Sequence, residues 1–177
     1  MSNWYGAYNL FRREVIRFKK IIIDTTVSPI VSNLLYLIIF NVAVAGREVS
    51  GISYIQFLAP GLITMTLINS SFSNPAFALI ISKFSGTISD LLIAPLRGDQ
   101  IVFAYVGAAV VRALFTAFIT FIVIFLLFAH LTVHNIYLVL IGSILTSCFF
   151  GSFSLVFILL HLFVLSLFST KWRLRWG

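Results

Sequence analysis

A chain of 177 residues that is 60% hydrophobic and 10% charged, with a mean hydropathy of +1.09, stands apart from soluble domains, which are about one quarter charged. A fold of this size has too little interior to hide so many Phe, Leu, Ile and Val side chains, so the composition excludes a soluble globule and makes the bilayer its solvent. The formal net charge of +7 comes from short basic clusters between apolar runs, a pattern that fits the positive-inside rule and contact with membrane lipids and speaks against nucleic acid as a partner.

The sequence reads as one transmembrane domain over residues 1–177. Residues 4–24 come first, and Trp4, Tyr8, Phe11, Val15, Phe18 and Ile22 recur at spacings of four and three, with Arg13, Arg17 and Lys20 opposite and Arg12 and Lys19 flanking. Aromatics on one face and cations on the other are what a helix in the headgroup plane needs. A solvated arm and a signal-peptide n-region are the alternatives. Ala43-Val44-Ala45 before Gly46 resembles a cleavage site, against which stand the polar Asp24, Pro29, Asn33 and Asn41 inside the supposed signal core.

The first apolar span is expected over 28–45, with Asn33, Leu37 and Asn41 on a face that should point into the protein, because an amide against lipid has no partner. The second, over 54–81, contains Pro60-Gly61 and a polar set of Asn69, Ser70, Ser71, Ser73, Asn74 and Pro75. Such a helix is tolerated where neighbours or a watery cavity satisfy its freed backbone groups. Asn33, Asn41, Asn69, Ser73 and Asn74 are therefore expected to line a path, with polar packing between helices as the alternative. Residues 83–100 form a loop in which Thr87 and Asp90 resemble a capping box, and Ile88, Leu91, Leu92 and Leu96 give a short helix one apolar side before Pro95 interrupts it.

The third span, over 101–128, carries Ala104, Ala108, Ala109, Ala113 and Ala117, which allow close helix approach, and Arg112, which is expected to snorkel toward the cytoplasmic end. His130 and His134 follow, four apart, without a third metal ligand nearby. The fourth span, over 136–168, holds Gly142, Ser143, Ser147, Gly151 and Ser154, along with the lone Cys148, and the chain ends on Lys171, Trp172, Arg173, Arg175 and Trp176, an interfacial anchor. Lys and Arg concentrate before span one, in the middle loop and at the end, so both termini and that loop should be cytoplasmic. The expected fold class is all-α integral membrane: an N-terminal amphipathic interfacial helix, about four transmembrane helices and a short cytoplasmic coupling helix between spans two and three.

No G-x-x-x-x-G-K-S/T phosphate loop, H-E-x-x-H, G-x-S-x-G or pair of catalytic carboxylates occurs. Glu14, Asp24, Glu48, Asp90 and Asp99 read as acids scattered over connections and helix flanks, which disfavours an ion-coupled carrier. Energy for any pumping must then come from another chain.

Three stretches, Phe11-Arg12-Arg13-Glu14 with Arg17-Phe18, Tyr54 to Gly61, and Gly86 to Leu96, make the chain resemble the type 2 permease family of ATP-binding-cassette (ABC) exporters over roughly residues 5–157. The resemblance implies an interfacial helix beside the ATPase through Phe11, Arg13, Arg17 and Phe18, and an ATPase-coupling loop through Thr87, Asp90, Leu91, Leu92 and Pro95. It implies no cofactor on this chain, ATP on an ATP-binding partner subunit, a homodimer, the inner membrane, and an amphipathic cargo such as a lipid-linked glycan, a polysaccharide or a drug. Family members usually carry further spans, so the same resemblance implies a chain shortened at its C-terminal end. The alternative function is a non-pumping membrane scaffold or an inactive truncated permease.

Overall fold

The computed structural model describes residues 4–44, 48–49, 52–87, 89, 93–94, 96–128 and 135–176. Helices α1 (Trp4–Lys20) and α2 (Ile22–Ala43) are followed by a ribbon of two two-residue strands, β1 (Glu48–Val49) and β2 (Ile52–Ser53), and then by α3 (Tyr54–Phe84), α4 (Gly98–Phe128) and α5 (Ile136–Trp176). The fold is all-α, as its composition requires, and the antiparallel ribbon (Glu48 opposite Ser53) does no more than turn the chain between α2 and α3.

Among the described residues three helices are long and apolar enough to cross a membrane: Tyr54–Phe84, Gly98–Leu127 and Ile136–Leu165. The pair Trp4–Lys20 and Thr25–Phe40, bent by 58°, makes a fourth span if counted as one. At 1.5 Å per residue the 31 residues of α4 extend over about 46 Å, more than the roughly 30 Å hydrocarbon layer. Large apolar residues such as Phe118, Leu126, Leu138, Val156 and Phe163 are exposed, while the buried positions belong to Ala104, Ala108, Ala109 and Ala113 on α4 and Ser70 and Ser71 on α3. This arrangement suits lipid, which covers large side chains as well as a protein core does and leaves close backbone approach to small ones.

Contacts fix the directions. Asn74 meets Arg112, and Leu67 packs with Ala113 and Ala117, so α3 and α4 run antiparallel. Gly151 lies against Ala109 and Val106, so α5 runs antiparallel to α4 and beside α3, where Ser154 donates to the Phe72 carbonyl. α2 folds back along α3 through Asn33 and Thr66 and through the Leu37, Ala59 and Ile124 cluster. Ring contacts of Trp4 with Phe103 and of Phe18 with Phe115 advance together, so α1 runs alongside α4 in the same direction. The start of α1, the connection from α3 to α4 and the end of α5 therefore share one end of the bundle.

Several boundaries differ from expectation. α1 ends at Lys20, and α2 starts at Ile22 rather than near 28. Pro29 lies within α2, where its missing N–H removes a single intrahelical bond. α3 runs on to Phe84 and α4 begins at Gly98, shortening the loop. The chain leaves α3 through Gly86, whose φ of 74° lies in the left-handed region that glycine enters without a Cβ clash. α5 continues past 168 to Trp176. Asp90, Leu91, Leu92, Pro95, His130 and His134 lie outside the described residues.

Candidate functional site

α1 buries one face against α4. Ala7, Leu10, Glu14 and Phe18 are buried, whereas Trp4 and Tyr8 are 58% and 60% exposed. The helix turns Ala7, Leu10, the Glu14 carboxylate and the Phe18 ring inward and leaves Trp4 and Tyr8 largely exposed. The reason is close approach: a Cβ on Gly107 of α4 would stand 3.4 Å from the Phe11 ring.

Glu14, one of the acids that read as scattered, is 2% exposed. Its two carboxylate oxygens face Arg17 at 2.5 Å and Arg13 at 3.8 Å. A buried carboxylate persists only when paired, and the pair Glu14 and Arg17, three apart on the face of Leu10 and Phe18, is the signal that marks it in the sequence. One turn further along, the Phe18 ring meets Phe115 edge-on at 5.8 Å, and the Arg112 guanidinium lies over the same ring at 5.5 Å.

Arg112 does not snorkel. It is 7% exposed and donates from Nη1 to Asn74 Oδ1 at 3.2 Å, so its charge turns inward to the amide on α3. A side chain with an acceptor in reach inside the bundle gains more there than from a long climb to the headgroups. Around this seam Tyr105, Ser82 and Thr116 are also buried, and α1, α3 and α4 share one polar interior.

The amides expected along a path are divided. Asn33 (6% exposed) donates to Thr66 Oγ1 at 2.6 Å, and Asn74 accepts from Arg112, so both act between helices. Asn69 faces outward, and Ser73 donates to the Asn69 carbonyl at 2.7 Å. Asn69 is exposed and Ser73 partly buried, one turn apart near the middle of α3. The side chain of Asn41 lies outside the described residues.

At the connection between α3 and α4, Thr87 Oγ1 lies 3.4 Å from the Ser82 carbonyl and 3.1 Å from Ser85 Oγ. Ser89 donates to the Gly86 carbonyl at 2.8 Å. Phe84 and Ile93 are 87% and 81% exposed, apolar groups at the basic end of the bundle. Leu96 reaches α1: a Cβ on Gly6 would stand 2.7 Å from its side chain. Among the described residues no three His, Cys, Asp or Glu side chains come together as metal ligands.

Residues 6–166 match the sequence pattern of a family described as ABC-2 type transporter. The chain is 34% identical over 150 residues to proteins named inner membrane transport permease YadH from Escherichia coli (strain K12), Escherichia coli O157:H7 and Shigella flexneri. The aligned stretch covers 84% of this chain and 58% of each relative, so the chain spans little more than half the length of those permeases. No solved structure matches it.

Proposed function

This chain belongs to the ABC-2 type transporter family, and we propose that it is the membrane-embedded subunit of an ATP-driven exporter of the inner membrane, working as a dimer with a separate ATP-binding subunit. The observation that carries this reading is the connection between α3 and α4. It joins two spans directly, touches α1 through Leu96 and Gly6, and presents Phe84 and Ile93 to the outside at the end where the basic residues gather. A partner closing on ATP against this end moves α1, α3 and α4 together, because packed helices shift as units. Thr87, Asp90, Leu91, Leu92 and Pro95 form the coupling surface in this reading, and both chain termini are cytoplasmic.

Cargo passes along the outward face of α3. Asn69 there puts a side-chain amide in the middle of a span, where hydrocarbon gives it no partner and a second copy or a hydrated cargo path does. The cargo is an amphipathic molecule, a lipid-linked glycan, a polysaccharide or a drug, and ATP stays on the partner.

Inverted vesicles holding the chain and its ATP-binding subunit test the proposal. ATP-dependent uptake of cargo that is lost when Leu91 and Leu92 become Asp is the expected result. Association and uptake that survive the double substitution overturn the coupling assignment, and uptake driven by an ion gradient without ATP overturns the exporter reading. A chain that binds the partner without moving cargo is the non-pumping scaffold.

A further inference from the structure

Three guanidinium groups, those of Arg13, Arg17 and Arg112, gather at the seam of α1 and α4 against the single carboxylate of Glu14. Both oxygens of Glu14 are engaged by Arg13 and Arg17. Arg112 is left with a neutral amide, Asn74, and the face of the Phe18 ring. Its Nε is buried and has no hydrogen-bond partner. Among the described side chains the other carboxylate is Asp99, exposed at the start of α4 and thirteen residues away, or roughly 20 Å along the helix. An amide and an aromatic face each orient toward a cation, but neither cancels a unit charge in a medium that excludes water.

We propose that Arg112, with Arg17 beside it, forms a site for the phosphate of an anionic phospholipid, seated at the seam of α1 and α4. On the outer side of α1 the Arg13 and Arg17 side chains are 54% and 28% exposed, and Arg112 lies buried behind them. The seam is flanked by Val111 and Phe115, partly exposed on the apolar surface of α4. A phosphate approaching there meets Arg13 and Arg17 first and Arg112 behind them, and its acyl chains continue along Val111 and Phe115. The site serves to neutralise the seam and does not depend on transport.

The test uses the full chain in nanodiscs. Discs of phosphatidylcholine, with and without phosphatidylglycerol, are examined by native mass spectrometry for lipid that stays with the protein. Wild type is expected to retain phosphatidylglycerol. Arg112→Gln should hold it about tenfold more weakly, the loss of one charge-assisted contact. Arg12→Gln, exposed on α1 and outside the cluster, should retain it like wild type. Arg112→Lys keeps a charge but loses the fork, and carries the same test where Arg112→Gln does not assemble: weaker retention is expected. Retention unchanged in both Arg112 variants, or lost equally in Arg12→Gln, overturns the site. Inorganic phosphate titrated into phosphatidylcholine discs separates the two sources of the anion. If it raises the unfolding midpoint in an Arg112-dependent way as strongly as the lipid does, the site takes free phosphate and the lipid assignment falls.

Discussion

Asn33 on α2 donates its side-chain amide to Thr66 Oγ1 on α3 across 2.6 Å, while Thr66 donates on to the Leu62 carbonyl at 3.0 Å. α2 lies with most of its surface toward lipid, and Val31, Leu35 and Ile38 are all more than half exposed. Between apolar helices in hydrocarbon the hydrophobic effect gives little, so this bond and the Leu37 contact hold α2 in register. Asn33→Ala and Thr66→Ala should each lower stability by about 1 kcal/mol. The double variant should lose less than the sum, as seen in a double-mutant cycle of unfolding in detergent. Full additivity would show that the bond carries no energy.

Glu14 sets the fit of α1 on α4. Glu14→Ala leaves Arg13 and Arg17 without a counter-charge, but both are partly exposed, so the loss should be about 1 to 2 kcal/mol rather than that of a fully buried pair. Glu14→Gln keeps the acceptor oxygen and the volume and should cost less than half as much. Thermal unfolding followed by size-exclusion chromatography distinguishes the two, and equal losses would mean that packing alone, without charge, holds α1.

Hydropathy made the spans and the all-α class legible, because lipid selects composition directly and leaves its mark on Tyr54–Phe84, Gly98–Leu127 and Ile136–Leu165. It did not reveal which face of each helix points inward. In water an apolar stripe marks the core, but in a bilayer it also suits acyl chains, so the stripe of α1 leaves Trp4 and Tyr8 exposed and does not single out Ala7, Leu10, Glu14 and Phe18 as the seam. Arg112 was visible as a cost, yet its answer lies on Asn74, 38 residues away in the chain. Only the antiparallel pairing of α3 and α4 brings the two together. The expected first span began at 28, whereas α2 starts at Ile22 and carries Pro29 inside it at the loss of one bond.

Gly151 and Gly142 on α5 separate packing from propensity. A Cβ at 151 would stand 3.3 Å from the Ala109 Cβ and 3.9 Å from the Ser71 carbonyl, while one at 142 would meet nothing within 4 Å. Gly151→Leu should push α5 from α3 and α4 and cost about 3 kcal/mol, at the upper end for overpacking. Gly142→Leu should be neutral or raise stability by up to about 1 kcal/mol, since glycine is a poor helix former. Unfolding midpoints of the two variants, measured side by side, check the expected ordering, and the reverse order would mean that α5 packs through another face.

Gly6 lies where α1 meets the connection that the proposed mechanism depends on. The atom it would displace is the end of the Leu96 side chain, 2.7 Å from a built Cβ, and a flexible leucine tip can rotate away, so Gly6→Ala should fold with a change of less than about 1 kcal/mol. Gly6→Trp leaves no such escape and must lift Leu96 off α1, while the Phe11 contact with Gly107 and the Phe18 contact with Phe115 keep α1 on α4. If α1 and the connection move as one unit, Gly6→Trp keeps the fold and its ATP-binding partner but uncouples them. ATP hydrolysis by the reconstituted complex should persist while cargo uptake falls about tenfold or more, a difference of 1.4 kcal/mol in the coupled step. Uptake equal to that of wild type would show that Leu96 touches α1 without transmitting motion, and that α3 and α4 carry it alone.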